Sequence, residues 1–130
     1  MIVVDASVIV ELLLMTVDGL RAARRLLREG VTWHAPHLLD LEVTQVLRRL
    51  CASGELDPSR AHQALDDLAV LPLIRYRHDL FLPRIWELRH QVSAYDAVYV
   101  ALAENLRAPL LTRDRRLRSA PGCRAAIEAI

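Results

Sequence analysis

The chain of 130 residues contains no lysine: all 17 of its basic side chains are arginine, set against 16 acidic ones. That absence removes several ways of handling phosphates and carbonyls. A GxxxxGK[ST] phosphate-binding loop needs its lysine, a Schiff-base enzyme needs a lysine amine, and a protein kinase needs a strand lysine on the ATP phosphates. A receiver-type phosphotransfer domain, which combines an acidic pair with a strand-end lysine, goes with them. Cysteine is scarce too. Cys51 and Cys123 stand far apart and form no CxxC, which argues against a disulfide framework and fits a reducing cytoplasm. With a net charge of +1 the chain has no overall basic footprint for nucleic acid. The apolar segment Met1 to Met15 carries Asp5 and Glu11 and no leading positive charge, so it reads neither as a signal peptide nor as a membrane span.

What remains is rich in Leu, Val and Ala: 53% of residues are hydrophobic and only 5% aromatic. The length suits one domain over residues 1–130 with a real core. Ile2 to Val4 is a short unbroken apolar run, the mark of a strand buried on both faces, and Ser7 is placed to cap a helix over residues 8–14. A second helix covers residues 18–29 and stops at Gly30. Strands follow at residues 31–35, 73–76 and 109–112, with a last edge strand at residues 123–127. Helices fill the intervals: residues 38–51, 58–70, 78–91 and, capped by Ser93, 94–107. Strands alternating with helices predict an α/β chain with a central parallel sheet covered on both faces.

Ligands of such sheets bind beyond the carboxyl ends of the strands. Asp5 directly follows the first strand and Asp114 follows the strand ending at Thr112, so parallel strands bring both to one rim. Either alone is equally the work of a turn or cap residue. Glu42 sits on the apolar stripe of its helix, with Leu38, Leu39 and Val46 around it. A carboxylate there must pair with an arginine or serve a site. Asp96, three residues after Ser93, reads as a capping partner, yet Val100 and Ala103 on the same side turn it inward. Four converging carboxylates without a lysine or a histidine cluster have one good use: oxygen ligands for Mg²⁺ or Mn²⁺. Such an ion lowers the pKa of water and screens phosphate charge. The expected chemistry is metal-assisted hydrolysis of a phosphodiester.

The segments carrying these acids are MIVVDASVIVELLL, HLLDLEVTQVLRRL and SAYDAVYVALAENLRAPLLTRDRRL. Together they resemble the PIN-domain nucleases, and among them the VapC-like toxins of type II toxin–antitoxin pairs, in order, spacing and nearly whole-chain coverage. The resemblance implies a PIN-like three-layer α/β/α sandwich and a Mg²⁺-dependent endoribonuclease specific for single-stranded RNA. It further implies a homodimer held inactive by a cognate antitoxin. It makes Asp5 and Asp96 the most direct metal ligands, with Glu42 and Asp114 acting directly or through water, and Ser7 and Thr112 the supporting hydroxyls. Some members carry a further acid after the fourth, where this chain has Arg115 and Arg116. A PIN-like module that binds RNA or a partner without cutting is the alternative; the complete set of four acids argues against it.

Other features are ambiguous or bland. Arg113, Arg115 and Arg116, with Arg118, either grip RNA phosphates beside the site or simply balance charge. Arg21, Arg24, Arg25 and Arg28 read as a solvated helix face. His34 and His37 read as surface residues, Asp40 as solvated, and Tyr95 and Tyr99 as packing rather than base-stacking groups. Trp33 and Trp86 read as core or interface anchors, and Glu11 is open between rim and solvent.

Overall fold

A computed structural model describes all residues, Met1–Ile130. Five strands form the sheet: β1 (Ile2–Val4), β2 (Trp33–Pro36), β3 (Leu73–Tyr76), β4 (Leu110–Thr112) and β5 (Ile127–Ala129). Their order is β3-β2-β1-β4-β5 and every pairing is parallel. Six α-helices connect them: α1 (Ala6–Leu13), α2 (Val17–Leu26), α3 (Leu38–Ala52), α4 (Pro58–Val70), α5 (Leu82–Glu87) and α6 (Ala94–Leu106). A 3-10 turn, Asp79–Phe81, precedes α5, and another, Arg115–Ser119, follows β4.

The chain runs outward from β1 to β2 to β3 and then returns across the sheet to β4. Right-handed crossovers therefore place α1 to α4 on one face and α5 and α6 on the other, giving the expected α/β/α sandwich. The helices pack accordingly: α1 on α2 and α3, α3 on α4, α5 on α6, with α6 laid over β1, β2 and β4. The sheet centre needs no polar face, so Ile2, Val3, Val4, Leu110 and Leu111 are wholly or almost wholly buried. The direction of strand order reverses between β1 and β4. That reversal opens a crevice beyond their carboxyl ends, where Asp5 and Asp114 stand.

Several local expectations change. Asp5, not Ser7, is the cap of α1, because its extended backbone lets the carboxylate accept from the Val8 amide at 3.2 Å. The helix thus begins two residues early. Pro36 belongs to β2, and the last strand lies at Ile127–Ala129 rather than at residues 123–127. His34 is buried, not superficial: its ring lies between the Thr32 hydroxyl and the Tyr76 hydroxyl, each at 2.8 Å, and burial lowers its pKa. Asp40 forms a two-point ion pair with Arg75, at 2.8 and 3.0 Å. Trp33 is core, whereas Trp86 is exposed and carries the Arg89 guanidinium 4.7 Å from its ring centre. Of the α2 arginines, Arg25 is tied to Glu128 on β5 by bonds of 2.7 and 3.0 Å.

No helix is long and apolar enough to cross a membrane.

Candidate active site

Each expected acid reaches the crevice from a different element. Asp5 terminates β1 and caps α1. Glu42 lies in the second turn of α3, Asp96 in the first turn of α6, and Asp114 just after β4. All four line one cavity of about 730 Å³. Parallel strands put β1 and β4 ends together, and the helix that follows β2 swings Glu42 over the same rim. Ser93 accepts from the Asp96 amide at 3.1 Å. The expected cap is therefore made by the Asp96 backbone, which leaves its carboxylate to the cavity.

Small hydroxyls organise Asp5. Ser7 donates to its Oδ1 at 2.5 Å and accepts from the Arg113 amide at 3.2 Å. Thr112, wholly buried, accepts from the Asp114 amide at 2.9 Å, and its hydroxyl is near enough to Asp5 to lower that carboxyl's pKa. Burial nevertheless raises the Asp5 carboxyl above the ordinary carboxylate range, and Ser7, Thr112 and the Val8 amide offset it only in part. Burial raises Glu42 as well. The Tyr99 hydroxyl opposes that rise, while the negative charges of Asp5 and Asp96 add to it.

Tyr99 is the residue that sequence reasoning missed. It is buried, so it cannot stack on a base, and its hydroxyl donates to Glu42 Oε2 at 2.5 Å. The bond to Glu42 explains how a carboxylate can sit on the apolar stripe of α3 without an arginine. The available signal was its spacing, three residues after Asp96 and so on the same helix face. Burial and the neighbouring carboxylates push the Tyr99 phenol well above its ordinary range, so it stays a donor.

The arginines around the rim are mostly engaged. Arg113 donates to Glu11 at 2.5 Å and pairs with Asp18 at 3.1 Å, which places Glu11 at the rim and ties the end of β4 to α1 and α2. Arg21 pairs with Asp18. Arg116 holds Asp114 through both carboxylate oxygens, with contacts of 2.7 to 3.2 Å, and this keeps Asp114 below the usual carboxylate range. Arg115 lines the cavity without an ion pair.

The donor set is all oxygen, which suits a hard divalent cation rather than zinc. None of the ion pairs involves Asp5, Glu42 or Asp96. Two of those carboxyls are raised by burial without a compensating positive charge, the electrostatic condition that a bound cation relieves. As the side chains stand, no three acid, histidine or cysteine groups are gathered closely enough to enclose an ion by themselves. Magnesium does not demand that, because it keeps several waters and commonly takes only one or two carboxylates. The residues fit such an ion.

The PIN domain family matches residues 2–122. Over 132 residues, 98% of this chain and 96% of the relative, the sequence is 45% identical to Ribonuclease VapC1 of Mycobacterium tuberculosis. It is 38% identical over 130 residues to Ribonuclease VapC12 of the same organism, covering 100% of this chain and 99% of that one. Among solved structures, the crystal structure of VapBC2 from Rickettsia felis bound to a DNA fragment from its promoter is similar in fold. The TM-score is 0.72 at 15% identity, covering 100% of this chain and 99% of that one.

Proposed function

The chain belongs to the PIN-domain family, and on that premise we propose that it is a VapC-type ribonuclease. In this reading it hydrolyses RNA phosphodiesters with Mg²⁺, or Mn²⁺ in its place, as the toxin of a toxin–antitoxin pair. The observation that carries the reading is the crevice itself. Four carboxylates from four elements line it, two of them half-buried without a basic partner, and arginines edge it. The identity to proteins named as ribonucleases over nearly their full length supports the substrate. The exposed apolar side chains Val17 and Leu20 on α2, and Leu82 and Trp86 on α5, supply surface for the cognate antitoxin and for a second copy of the chain.

In this reading Asp5 and Asp96 hold the ion, with Glu42 and Asp114 contributing directly or through water. The bound ion supplies a more acidic water and a positive charge against the phosphodiester. The chain's own groups do the rest. Ser7 fixes the Asp5 carboxylate, Thr112 holds the Asp114 amide beside it, and Tyr99 fixes Glu42. The amino end of α6 adds a favourable dipole for anionic groups beside Asp96. Arg115 and Arg116, which line the crevice, contact RNA phosphates in this reading; Arg113, bound to Glu11 and Asp18, is the least available of the three.

The test is cleavage of single-stranded RNA with Mg²⁺, with Mn²⁺ and in EDTA, by the wild type and Asp96→Asn. Cleavage is expected only with metal, and the variant is expected to lose at least about 100-fold, more than the roughly 10–100-fold typical of groups that merely orient a ligand. Undiminished cleavage in EDTA, or by the variant, overturns the mechanism. RNA binding without cleavage under all conditions would instead identify a non-cutting binding module. Tyr99→Phe removes one hydroxyl from a buried site, and its expected loss is about 10–100-fold in kcat/KM with folding retained by circular dichroism. A fully active Tyr99→Phe protein would deny the phenol any part in holding Glu42.

A further inference from the structure

Resting on the metal-dependent reading above, we propose that Arg116 is an internal latch on Asp114. In the ion-free protein its guanidinium stands in for the cation, and it must swing away before the fourth carboxylate can serve a divalent ion. A site acid normally competes for cations with solvent alone. Here it is matched by a group already in the chain, two residues away.

Its exposure separates this pair from the covered ion pairs of the fold, and its place on the crevice separates it from the exposed Arg77–Asp79 pair, which has the same spacing and two-point geometry but lies away from the acids. Arg84 and Glu104 are also joined at two points, by bonds of 2.8 and 3.0 Å. Both of their side chains are largely covered, and Arg84 also donates to Glu87 and to the Gly122 carbonyl. That arginine is locked from several sides. The Arg116 side chain is 89% exposed, and its guanidinium contacts Asp114 alone. Exposed pairs of this kind are weak and exchange partners readily. A guanidinium fork matches carboxylate and phosphate equally well in shape, so RNA offers it somewhere to go.

Asp114 is built to survive the exchange. Its Oδ1 also accepts from the Arg116 backbone amide at 2.9 Å, capping the 3-10 turn Arg115–Ser119. When the guanidinium leaves, that amide still holds Oδ1 in place, and Oδ2, the partner of the shortest contact at 2.7 Å, becomes a free donor. The same guanidinium also feels the Asp96 charge across the cavity. Arg116, Asp96 and Asp114 all line the same cavity.

The experiment is calorimetric titration of the full chain with Mn²⁺ alone. Proteins compared are the wild type, Arg116→Ala, Asp114→Asn, the double variant, and Arg118→Ala as a nearby exposed arginine that matches the change in charge. Arg116→Ala is expected to bind Mn²⁺ at least about threefold more tightly than the wild type, the scale of a weak exposed ion pair. The gain should vanish in the Asp114→Asn background, and Arg118→Ala should show less than half of it. Equal or weaker binding by Arg116→Ala overturns the latch. So does the same gain in the double variant relative to Asp114→Asn, or in Arg118→Ala, which would reveal only a change in overall charge. Failure of the wild type to bind Mn²⁺ at all would overturn the metal-dependent reading itself, and the latch with it.

Discussion

Asp5→Asn is expected to lower RNA cleavage by at least about 100-fold and, at the same time, to raise the melting temperature of the metal-free protein at pH 7. The first effect follows from replacing a charged ligand by a neutral one. The second follows from burial. Asn keeps the oxygen that accepts from the Val8 amide and the Ser7 hydroxyl, and Asn caps helices as well as Asp does. What it removes is a negative charge in a crevice that raises the carboxyl's pKa by desolvation.

A group whose folded pKa is raised contributes stability at pH below its unfolded value, near 3.8 for Asp5. That stability is lost as the pH climbs through the folded value. By pH 7, well above the unfolded value, the wild type has lost stability on this account and the variant has lost none. The variant should therefore melt higher at pH 7, by about 4 °C for each kcal/mol recovered in a chain of this size. The difference should shrink toward pH 4, and also in saturating Mg²⁺, which stabilises only the protein that binds it. A variant that melts lower than the wild type at pH 7 without metal would show that the Asp5 charge is not a burden in the native state.

Gly19→Ala is the largest structural effect expected. Alanine normally stabilises a helix interior by about 1 kcal/mol over glycine. At position 19 the added Cβ would stand 2.1 Å from the Glu11 carbonyl oxygen and 2.6 Å from the Glu11 carbonyl carbon. Both are main-chain atoms of α1, so no side-chain rotation relieves the clash; α1 and α2 must part. Overpacking of this kind costs about 3 kcal/mol, enough to lower the melting temperature by about 12 °C. The damage should reach the site, because Glu11 and Asp18, which hold Arg113, lie on the two helices being separated.

Gly54→Ala is the natural comparison. Nothing lies within 4 Å of a Cβ there, and the only penalty is its φ of +77°, worth about 1 kcal/mol. Differential scanning calorimetry of the two variants side by side decides the matter. Equal losses, or a Gly19→Ala protein as stable as the wild type, would mean that α1 and α2 do not approach so closely.

Much of this site is legible before any coordinates, since it depends on periodicity and strand ends. An unbroken apolar run followed at once by Asp5, and another followed by Asp114, suffice to put two carboxylates on one rim of a parallel sheet. Glu42 stands out because it breaks an apolar stripe. These are local properties of the chain, and the backbone obeys them: the central strands β1 and β4 carry no charged residue, the first charges after them lie outside the sheet, and the one polar residue within, Thr112, has its hydroxyl hydrogen-bonded to the Asp114 amide.

What sequence alone could not decide is which charged or polar group meets which. Tyr99 reads as packing, yet it is the hydroxyl that makes Glu42 tolerable, 57 residues away in the chain. Asp40 reads as solvated and is held by Arg75, 35 residues on. His34 reads as superficial and lies inside, because β2 is flanked by β1 and β3. Even the near neighbours Asp114 and Arg116 were open, since spacing by two permits an ion pair without requiring one. Periodicity determined the layers of this protein and the rim on which its acids gather. Only the tertiary structure decided the partners, because a hydrogen bond or ion pair depends on distances of a few ångströms between side chains that the fold, not the chain order, brings together.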